Sequence, residues 1–347
     1  MFYDFFAGSL IEQMRIAING FGRIGRALLR ILIGSPRDEL EIVAVNTPST
    51  VENCLHLLRY DSVHGKFDCS MSLAEDNVAI LNGVPVRFSS ERDISLLDWR
   101  AIGVDTVLEC SGVFNSHAKA SGHIKVGAKA VLVSAPVSDA DSIIIYGVNH
   151  HALTPSDRII SVGSCTTNCL APLIEVVHKN FGVEAAFMTT IHSYTNDQNI
   201  VDNSHRDLRR GRACGTSIIP TTTGVTKIVG KIFPDLDGRI DGVAVRVPTP
   251  NVSMVDLTVT TSRSVTTDEV NNLFIKAESS YLNGVLSTCA EPLVSVDFNK
   301  DPHSAIVDLT GTYVVGGRLL RLGAWYDNEW GFSARMLDVA RFISTKL

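Results

Sequence analysis

The regular patterning of the chain opens with Arg15-Ile16-Ala17-Ile18-Asn19, a short apolar strand. Ala27, Leu28, Ile31 and Leu32 then recur at helical spacing, and Glu41 to Val45 reads as a second strand. Val78 to Leu81 and Val84 to Phe88 flank Asn82-Gly83, the two-residue signal of a hairpin. Asp105 to Cys110 and Ala130 to Ser134 read as buried strands of the parallel type, and each leads into a loop where ligands collect in such sheets, Ser111 to Phe114 and Ala135-Pro136. An extended run from Arg158 to Val162 stops at Gly163; Ser164 is a good N-cap, and Leu170, Leu173, Ile174 and Val177 carry a helix to about Phe181. Val183 to Ile191 reads as the next strand.

The second half changes character. Long alternating stretches, Gly242 to Val247, Ser253 to Thr260, Leu293 to Phe298 and Thr312 to Trp325, predict strands, the last folded back at Gly316-Gly317, with helices near Thr226 to Ile232 and Asp268 to Ser279. In Val243-Ala244-Val245-Arg246-Val247 the alternation sets the valines toward the core and Arg246 away from it. From about Glu329, Met336, Leu337, Val339, Ala340 and Ile343 form a final helical stripe. The expected fold class is therefore α/β plus α+β: a Rossmann-type doubly wound parallel sheet, then a mostly antiparallel-sheet domain, divided at Gly163 to Cys165 without repeats or a low-complexity linker.

Composition narrows the classes. A chain of 347 residues with 45% hydrophobic and 20% charged residues can bury two domain cores. A net charge of −6 leaves no electrostatic footprint for nucleic acid, although Arg206 to Arg212 can hold phosphate locally. Seven scattered cysteines, an odd number, suit a reducing compartment and hence the cytoplasm. No apolar run approaches a membrane span, and Met1 to Gln13, with Asp4 and Glu12 and no basic start, is expected to be an extension before a folded chain beginning at Met14.

Two stretches carry chemistry. Gly20-Phe21-Gly22-Arg23-Ile24-Gly25 stands between strand and helix, and the second strand ends about twenty residues later, the context that a dinucleotide fingerprint needs. Cys165 opens the helix after Ser164, where unpaired N–H groups and the dipole favour a thiolate nucleophile. The commoner fate of a lone cysteine is structural, and that reading is preferred for Cys169; the spacing suits no metal site, so none is expected. The helix carries the chain roughly 24 Å away and the strand of about nine residues can return roughly 30 Å. His192 therefore ends at the height of Cys165, in reach to serve as its base.

These residues resemble the phosphorylating glyceraldehyde-3-phosphate dehydrogenases from about Met14 onward. The likeness is carried by Ala17 to Arg26, Ser164 to Pro172, His192 to Gln198, Arg246 to Val252 and Trp325 to Trp330. The resemblance implies residues 14–164 as an NAD(P)-binding domain joined by a C-terminal helix at 329–347, residues 165–328 as a catalytic domain, and a homotetramer. It implies Cys165 and His192 as the catalytic pair, the imidazole also serving as ion-pair partner of the thiolate. Thr195 and Arg246 would hold the substrate phosphate, and Ser164, Thr166, Arg210, Thr223 and Gly224 the inorganic phosphate. Gly20, Gly22, Arg23, Ile24, Thr47, Arg92, Ser134 and Asn328 would contact the cofactor, the last through its nicotinamide amide.

Departures concentrate at the adenine ribose. The usual acidic residue after the second strand is replaced, since Asn46 is followed by Thr47 and Pro48, and Ser204 stands where many NAD-specific relatives have proline. Loss of a carboxylate removes repulsion toward a 2′-phosphate, so NAD is expected with NADP also accepted. The nearest competing reading is an erythrose-4-phosphate dehydrogenase, whose relatives depart at Tyr194-Thr195-Asn196 and Thr221-Thr222-Thr223-Gly224. From another class, the reactive cysteine permits a thiol redox sensor, and a secondary binding role, as in a nucleic-acid partner, meets the acidic balance as an objection.

Overall fold

The computed structural model describes residues 13–35 and 39–346, so the expected extension lies outside it apart from Gln13. The first sheet is built from β1 (Met14–Asn19), β2 (Leu40–Asn46), β3 (Met71–Leu73), β4 (Val78–Leu81), β5 (Val84–Ser89), β6 (Thr106–Glu109), β7 (Ala130–Val133), β8 (Ser142–Ile143) and β9 (Ile159–Ser161), with helices α1 (Arg23–Gly34), α2 (Val51–Arg59) and α3 (His117–Lys125) between them. Its order is β3-β4-β5-β2-β1-β6-β7-β9-β8, parallel except for the β3-β4-β5 meander. Ile16, Ala17 and Ile18 are wholly buried because β1 lies at the centre with both faces covered. Chain order reverses at β1, with β2 on one side and β6 on the other, and a ligand crevice forms beyond the strand ends at such a switch point.

Two glycines make that crevice. Gly20 has φ +97°, and a Cβ there would meet the Ser111 nitrogen at 2.4 Å; a Cβ on Gly25 would meet the Gly20 carbonyl oxygen at 2.2 Å. Gly22, the N-cap of α1, faces open space. The turn after β1 thus packs against β6 while leaving room above the helix N-terminus.

The second sheet follows α4 (Cys165–Phe181). Its strands are β10 (Val183–Ser193), β11 (Ile219–Thr222), β12 (Ile240–Val247), β13 (Ser253–Thr261), β14 (Leu286–Cys289), β15 (Ala305–Val315) and β16 (Leu319–Tyr326), with α5 (Val225–Ile232), α6 (Thr267–Glu278) and α7 (Trp330–Ser344) completing the helices described. The order is β11-β12-β10-β13-β16-β15-β14; β10 runs parallel to β12 and β14 to β15, and the other pairings are antiparallel. Leu170, Leu173, Ile174 and Val177 of α4 bury against Val255, Leu257 and Val259 of β13. The final helix returns to the first sheet, where Met336, Leu337, Val339 and Ala340 share a core with Ile16, Ile18 and Leu28.

Two strand expectations fail. Leu293 to Phe298 is not a strand but a 3₁₀ turn at Ser295–Phe298, because Asp297 Oδ2 accepts the Val294 N–H at 2.8 Å and closes the backbone locally; Leu293, Val294 and Val296 are exposed. Leu286 to Cys289 pairs with β15 instead. In β12 the orientation is reversed: Ala244 is buried at 4% exposure while Val243 is 41% exposed, so Arg246 shares the inward face with Ala244.

Candidate active site

Helix α4 starts at Cys165 because its N-terminus is held from three sides. Gly163 turns the chain with φ +67°, and Ser164 Oγ accepts the Thr167 N–H at 3.1 Å. Asn168 Nδ2 donates to the carbonyls of Val162 at 2.8 Å and Ser164 at 2.9 Å, tying the helix to the strand that feeds it. Deeper in, the hydroxyl of the fully buried Tyr326 lies 2.9 Å from Thr166 Oγ1 and 2.8 Å from Thr190 Oγ1, joining α4, β10 and β16 behind the sulfur.

The helix out and the strand back meet as their lengths require: His192 Nε2 lies 3.5 Å from Cys165 Sγ. The parallel register of β10 and β12 sets Arg246 opposite His192. Arg246 Nη1 therefore reaches His192 Nδ1 at 2.6 Å and donates to the Ser193 carbonyl at 2.9 Å, while Nδ1 is itself 2.7 Å from that carbonyl. Guanidinium has no acceptor lone pair, so the Nδ1 next to it accepts and the ring proton sits on Nε2, toward the sulfur.

Burial dominates the electrostatics of the pair. Burial, and then the Arg246 charge, push His192 down to about 3, which leaves a neutral ring. Burial raises the Cys165 thiol above its ordinary value, while Arg246, the Thr166 hydroxyl and the N–H groups of Thr166 and Cys165 pull it back. The residue keeps a partly exposed rim although its surroundings are dense protein. The Arg246 charge thus acts on the sulfur together with the helix end, and both favour thiolate only against this desolvation.

The other phosphate-binding candidates spread around this centre. Thr195 N–H and Oγ1 donate to Gln198 Oε1 at 2.9 and 3.3 Å. Arg210 is held by Thr221 Oγ1 at 2.8 Å, by the Thr222 carbonyl at 3.1 Å and by an ion pair with Asp197. Gly224 is the N-cap of α5, with Thr223 Oγ1 accepting the Val225 N–H at 3.3 Å. Thr195, Arg210, Thr223 and Gly224 make no direct hydrogen bond to the Cys165–His192 pair, whereas Thr166 approaches the sulfur at 4.0 Å.

On the cofactor side, Gly20, Gly22, Thr47 and Arg92 line a cleft of about 410 Å³ together with Asn19 and Ser111. Ile24 packs on the core below it, and Ser134 sits behind it after β7, donating its N–H to the Glu109 carbonyl. The Arg23 side chain is committed to Asp61 and Glu329, leaving only its backbone to a ligand. Asn328 Oδ1 accepts from the hydroxyls of Ser193 and Ser253, each at 2.9 Å, which turns its amide nitrogen away from them. The cleft volume, the open space at Gly22 and the helix N-terminus beneath it fit a dinucleotide. Ser204 lies on an exposed loop and does not line this cleft. Roles that motif reading left unassigned fall to Tyr326 and Thr190; a lone threonine on the buried phase of an apolar strand was the available signal for the latter.

Residues 14–117 match the family profile described as the NAD binding domain of glyceraldehyde 3-phosphate dehydrogenase, and residues 164–328 match the C-terminal domain of the same family. The chain is 50% identical over 327 residues to a glyceraldehyde-3-phosphate dehydrogenase of Cereibacter sphaeroides, covering 94% of this chain and 97% of that protein. It is 46% identical to glyceraldehyde-3-phosphate dehydrogenase 2 of Bacillus subtilis, covering 96% and 98%. The corresponding protein of Geobacillus stearothermophilus is 45% identical, covering 96% and 99%.

Proposed function

Since the chain belongs to the glyceraldehyde-3-phosphate dehydrogenase family, we propose that it oxidises D-glyceraldehyde 3-phosphate with NAD and inorganic phosphate to 1,3-bisphosphoglycerate, as a step of glycolysis and gluconeogenesis. The 3.5 Å approach of Cys165 Sγ and His192 Nε2 at the start of α4 carries this reading. Residues 14–164 with α7 act as the nucleotide domain and residues 165–328 as the catalytic one.

Cys165 attacks the aldehyde carbon, and the new alkoxide takes a proton to become a hemithioacetal. His192 exchanges that hydroxyl proton, accepting it as the carbon is oxidised to a thioester. Bound NAD supplies the hydride acceptor for this oxidation. The thioester keeps the acyl group activated until an oxygen of inorganic phosphate adds to it and Cys165 leaves as thiolate. Arg246 and Thr195 hold the substrate phosphate; Ser164, Thr166, Arg210, Thr223 and Gly224 hold the attacking one. Gly20, Gly22, Thr47 and Arg92, with the backbone of Arg23 and Ile24 and the side of Ser134, hold the dinucleotide, and Asn328 holds its amide.

Thr47 in place of an acidic residue removes one carboxylate from the ribose end, where Arg92 lines the cleft with the remaining Glu91, so NADP is accepted besides NAD. Any contact from Ser204 would come from a second copy. Exposed Ile200, Val201, Leu208 and Ile218 on the loop before β11, and outward Phe187, Ile191 and Val243 on the second sheet, support assembly into a homotetramer. Seven unpaired cysteines support a cytoplasmic setting, and among the described residues no helix is long and apolar enough to cross a membrane. A spectrophotometric assay tests the reading: reduced nicotinamide should accumulate with glyceraldehyde 3-phosphate only when phosphate is present. Turnover without phosphate would favour a hydrolytic relative, and a preference for NAD over NADP beyond roughly three orders of magnitude, about 4 kcal/mol, would reject dual cofactor use.

A further inference from the structure

Asn328 stands between two carboxylates that are anchored in opposite directions. Asp327 is tied to the catalytic domain: its Oδ2 accepts Asn251 Nδ2 at 2.9 Å and the Lys300 N–H at 2.8 Å, and its Oδ1 accepts the N–H groups of Glu329 at 2.9 Å and Trp330 at 2.8 Å, where α7 begins. Glu329 is tied to the nucleotide domain. Its Oε1 accepts Arg23 Nε at 2.8 Å and its Oε2 accepts Arg23 Nη2 at 2.6 Å, a bidentate pair that fixes angle as well as distance. On its other side the guanidinium meets Asp61, which also accepts the N–H groups of Val63 at 2.9 Å and His64 at 2.8 Å. The buried His64 ring packs against this cage, its Nε2 3.6 Å from Glu329 Oε2 and 3.9 Å from Asp327 Oδ2.

Arg23 is also the first residue of α1, so its N–H belongs to the helix-start donors that lack an intrahelical acceptor, beneath the open space at Gly22. One residue thus reaches both ends of the cofactor crevice, with its main chain at the pyrophosphate turn and its side chain at the turn that carries Asn328. Docking of the two domains does not hang on this pair, because Asn299 Nδ2 donates to the Val63 carbonyl at 2.8 Å and the α7 stripe packs on the first sheet. What the pair adds is a fixed angle for the Asn328 turn.

We propose that Glu329 is a positioning residue for the nicotinamide end of the dinucleotide: through the Arg23 guanidinium it fixes the Asn328 turn against the pyrophosphate turn, so that both ends of the cofactor are held on one frame. Such support matters because hydride transfer tolerates little error in the placing of the ring. The inference rests on the reading of Asn328 as the holder of the nicotinamide amide given above.

Glu329→Gln tests it, because glutamine keeps the shape but offers one acceptor oxygen to two N–H groups, while Asp61 still neutralises Arg23. The probes are NAD, NADH and ADP-ribose, the last being the dinucleotide without its nicotinamide, each titrated calorimetrically against wild type and variant. One or two hydrogen bonds of the amide are at stake, so NAD and NADH should each bind the variant about tenfold more weakly, and ADP-ribose as it binds wild type. Equal weakening of all three is what a merely structural role would give and overturns the proposal, as does unchanged binding of all three. A loss for NAD that NADH does not share also overturns it, since attraction between the Glu329 charge and the oxidised ring would then be the cause. Arg23→Lys keeps the charge but not the fork and should show the same loss confined to NAD and NADH; if Glu329→Gln does not fold, an unaltered ratio of NAD to ADP-ribose affinity in Arg23→Lys overturns the proposal. Asn328→Ala, titrated alongside, separates the two readings. A loss confined to NAD and NADH there but absent in Glu329→Gln overturns the positioning role and leaves the Asn328 reading standing, whereas no loss in Asn328→Ala overturns both.

Discussion

Glu109 closes β6 directly beneath the dinucleotide turn, and its replacement by glutamine probes how that turn is held. The side chain is fully buried and accepts four hydrogen bonds: from Asn19 Nδ2 at 2.6 Å, His123 Nε2 at 3.0 Å, the Ser111 N–H at 2.7 Å and Ser111 Oγ at 2.5 Å. Three of these donors cannot reverse, and only the Ser111 hydroxyl can turn to accept. Trp99 Nε1–H donates to His123 Nδ1 at 3.0 Å, so the His123 proton is on Nε2, and Asn46 Nδ2 donates to Asn19 Oδ1 at 2.8 Å, so Asn19 must present its amino group. Glutamine has one acceptor oxygen, and whichever pair of donors it serves, its own amino group confronts the other pair. Serving the buried Asn19 and His123 with that oxygen leaves the glutamine amide facing exposed Ser111, where the hydroxyl turns to accept and only the Ser111 N–H loses its acceptor; at about 1–3 kcal/mol for one such donor, Glu109→Gln should destabilise the protein by that amount. Ser111 packs where a Cβ on Gly20 would sit, so its displacement reaches the pyrophosphate turn and should weaken NAD about tenfold, about 1.4 kcal/mol. Urea unfolding at matched protein concentration, with fluorescence titration of NAD, reads both quantities. A loss under about 1 kcal/mol with unchanged NAD affinity would refute the donor accounting.

Three further outcomes follow from the site. His192→Asn should keep the fold and lower kcat by about 10²–10⁴-fold, measured under saturating substrate and phosphate; a loss confined to KM would remove the imidazole from proton transfer. Folded His192 and His150 are pushed by burial to about 3 and about 4, below the ordinary 6.5. The unfolded chain therefore binds protons that the folded chain lacks, so stability is full above about pH 6.5 and declines as pH falls toward 3; His192→Asn should flatten part of that decline in urea midpoints measured across the range. Thr47→Asp should restore repulsion toward a 2′-phosphate and cut kcat/KM for NADP by about 10²-fold, about 3 kcal/mol, relative to NAD; an unaltered cofactor ratio would mean that position 47 does not face the ribose.

The elements that hydrophobic spacing described well are those whose neighbours are local. Cys165 and His192 could be brought together from the lengths of one helix and one strand, because a single turn at Gly182 joins them and no other contact intervenes. Leu293 to Phe298 misled for the opposite reason: its apolar residues look like a strand, but Pro292 removes a donor before them and Asp297 closes a turn after them, leaving Leu286 to Cys289 to take the edge of the sheet. Arg246 shows the limit most clearly. Spacing assigns the valines of β12 to the core because they are the apolar set, yet that set faces outward, where Val243, Phe187 and Ile191 form an exposed apolar surface, while the face with alanine and arginine turns inward. Only the parallel pairing of β10 with β12, joined by a crossover of more than forty residues, sets Arg246 beside His192. The pairing that puts a cation on the imidazole is thus a property of topology and not of periodicity. It also explains why an arginine that reads as outward-facing in its own strand stands beside Cys165 and His192, where its charge adds to burial in lowering the imidazole and opposes burial at the thiol.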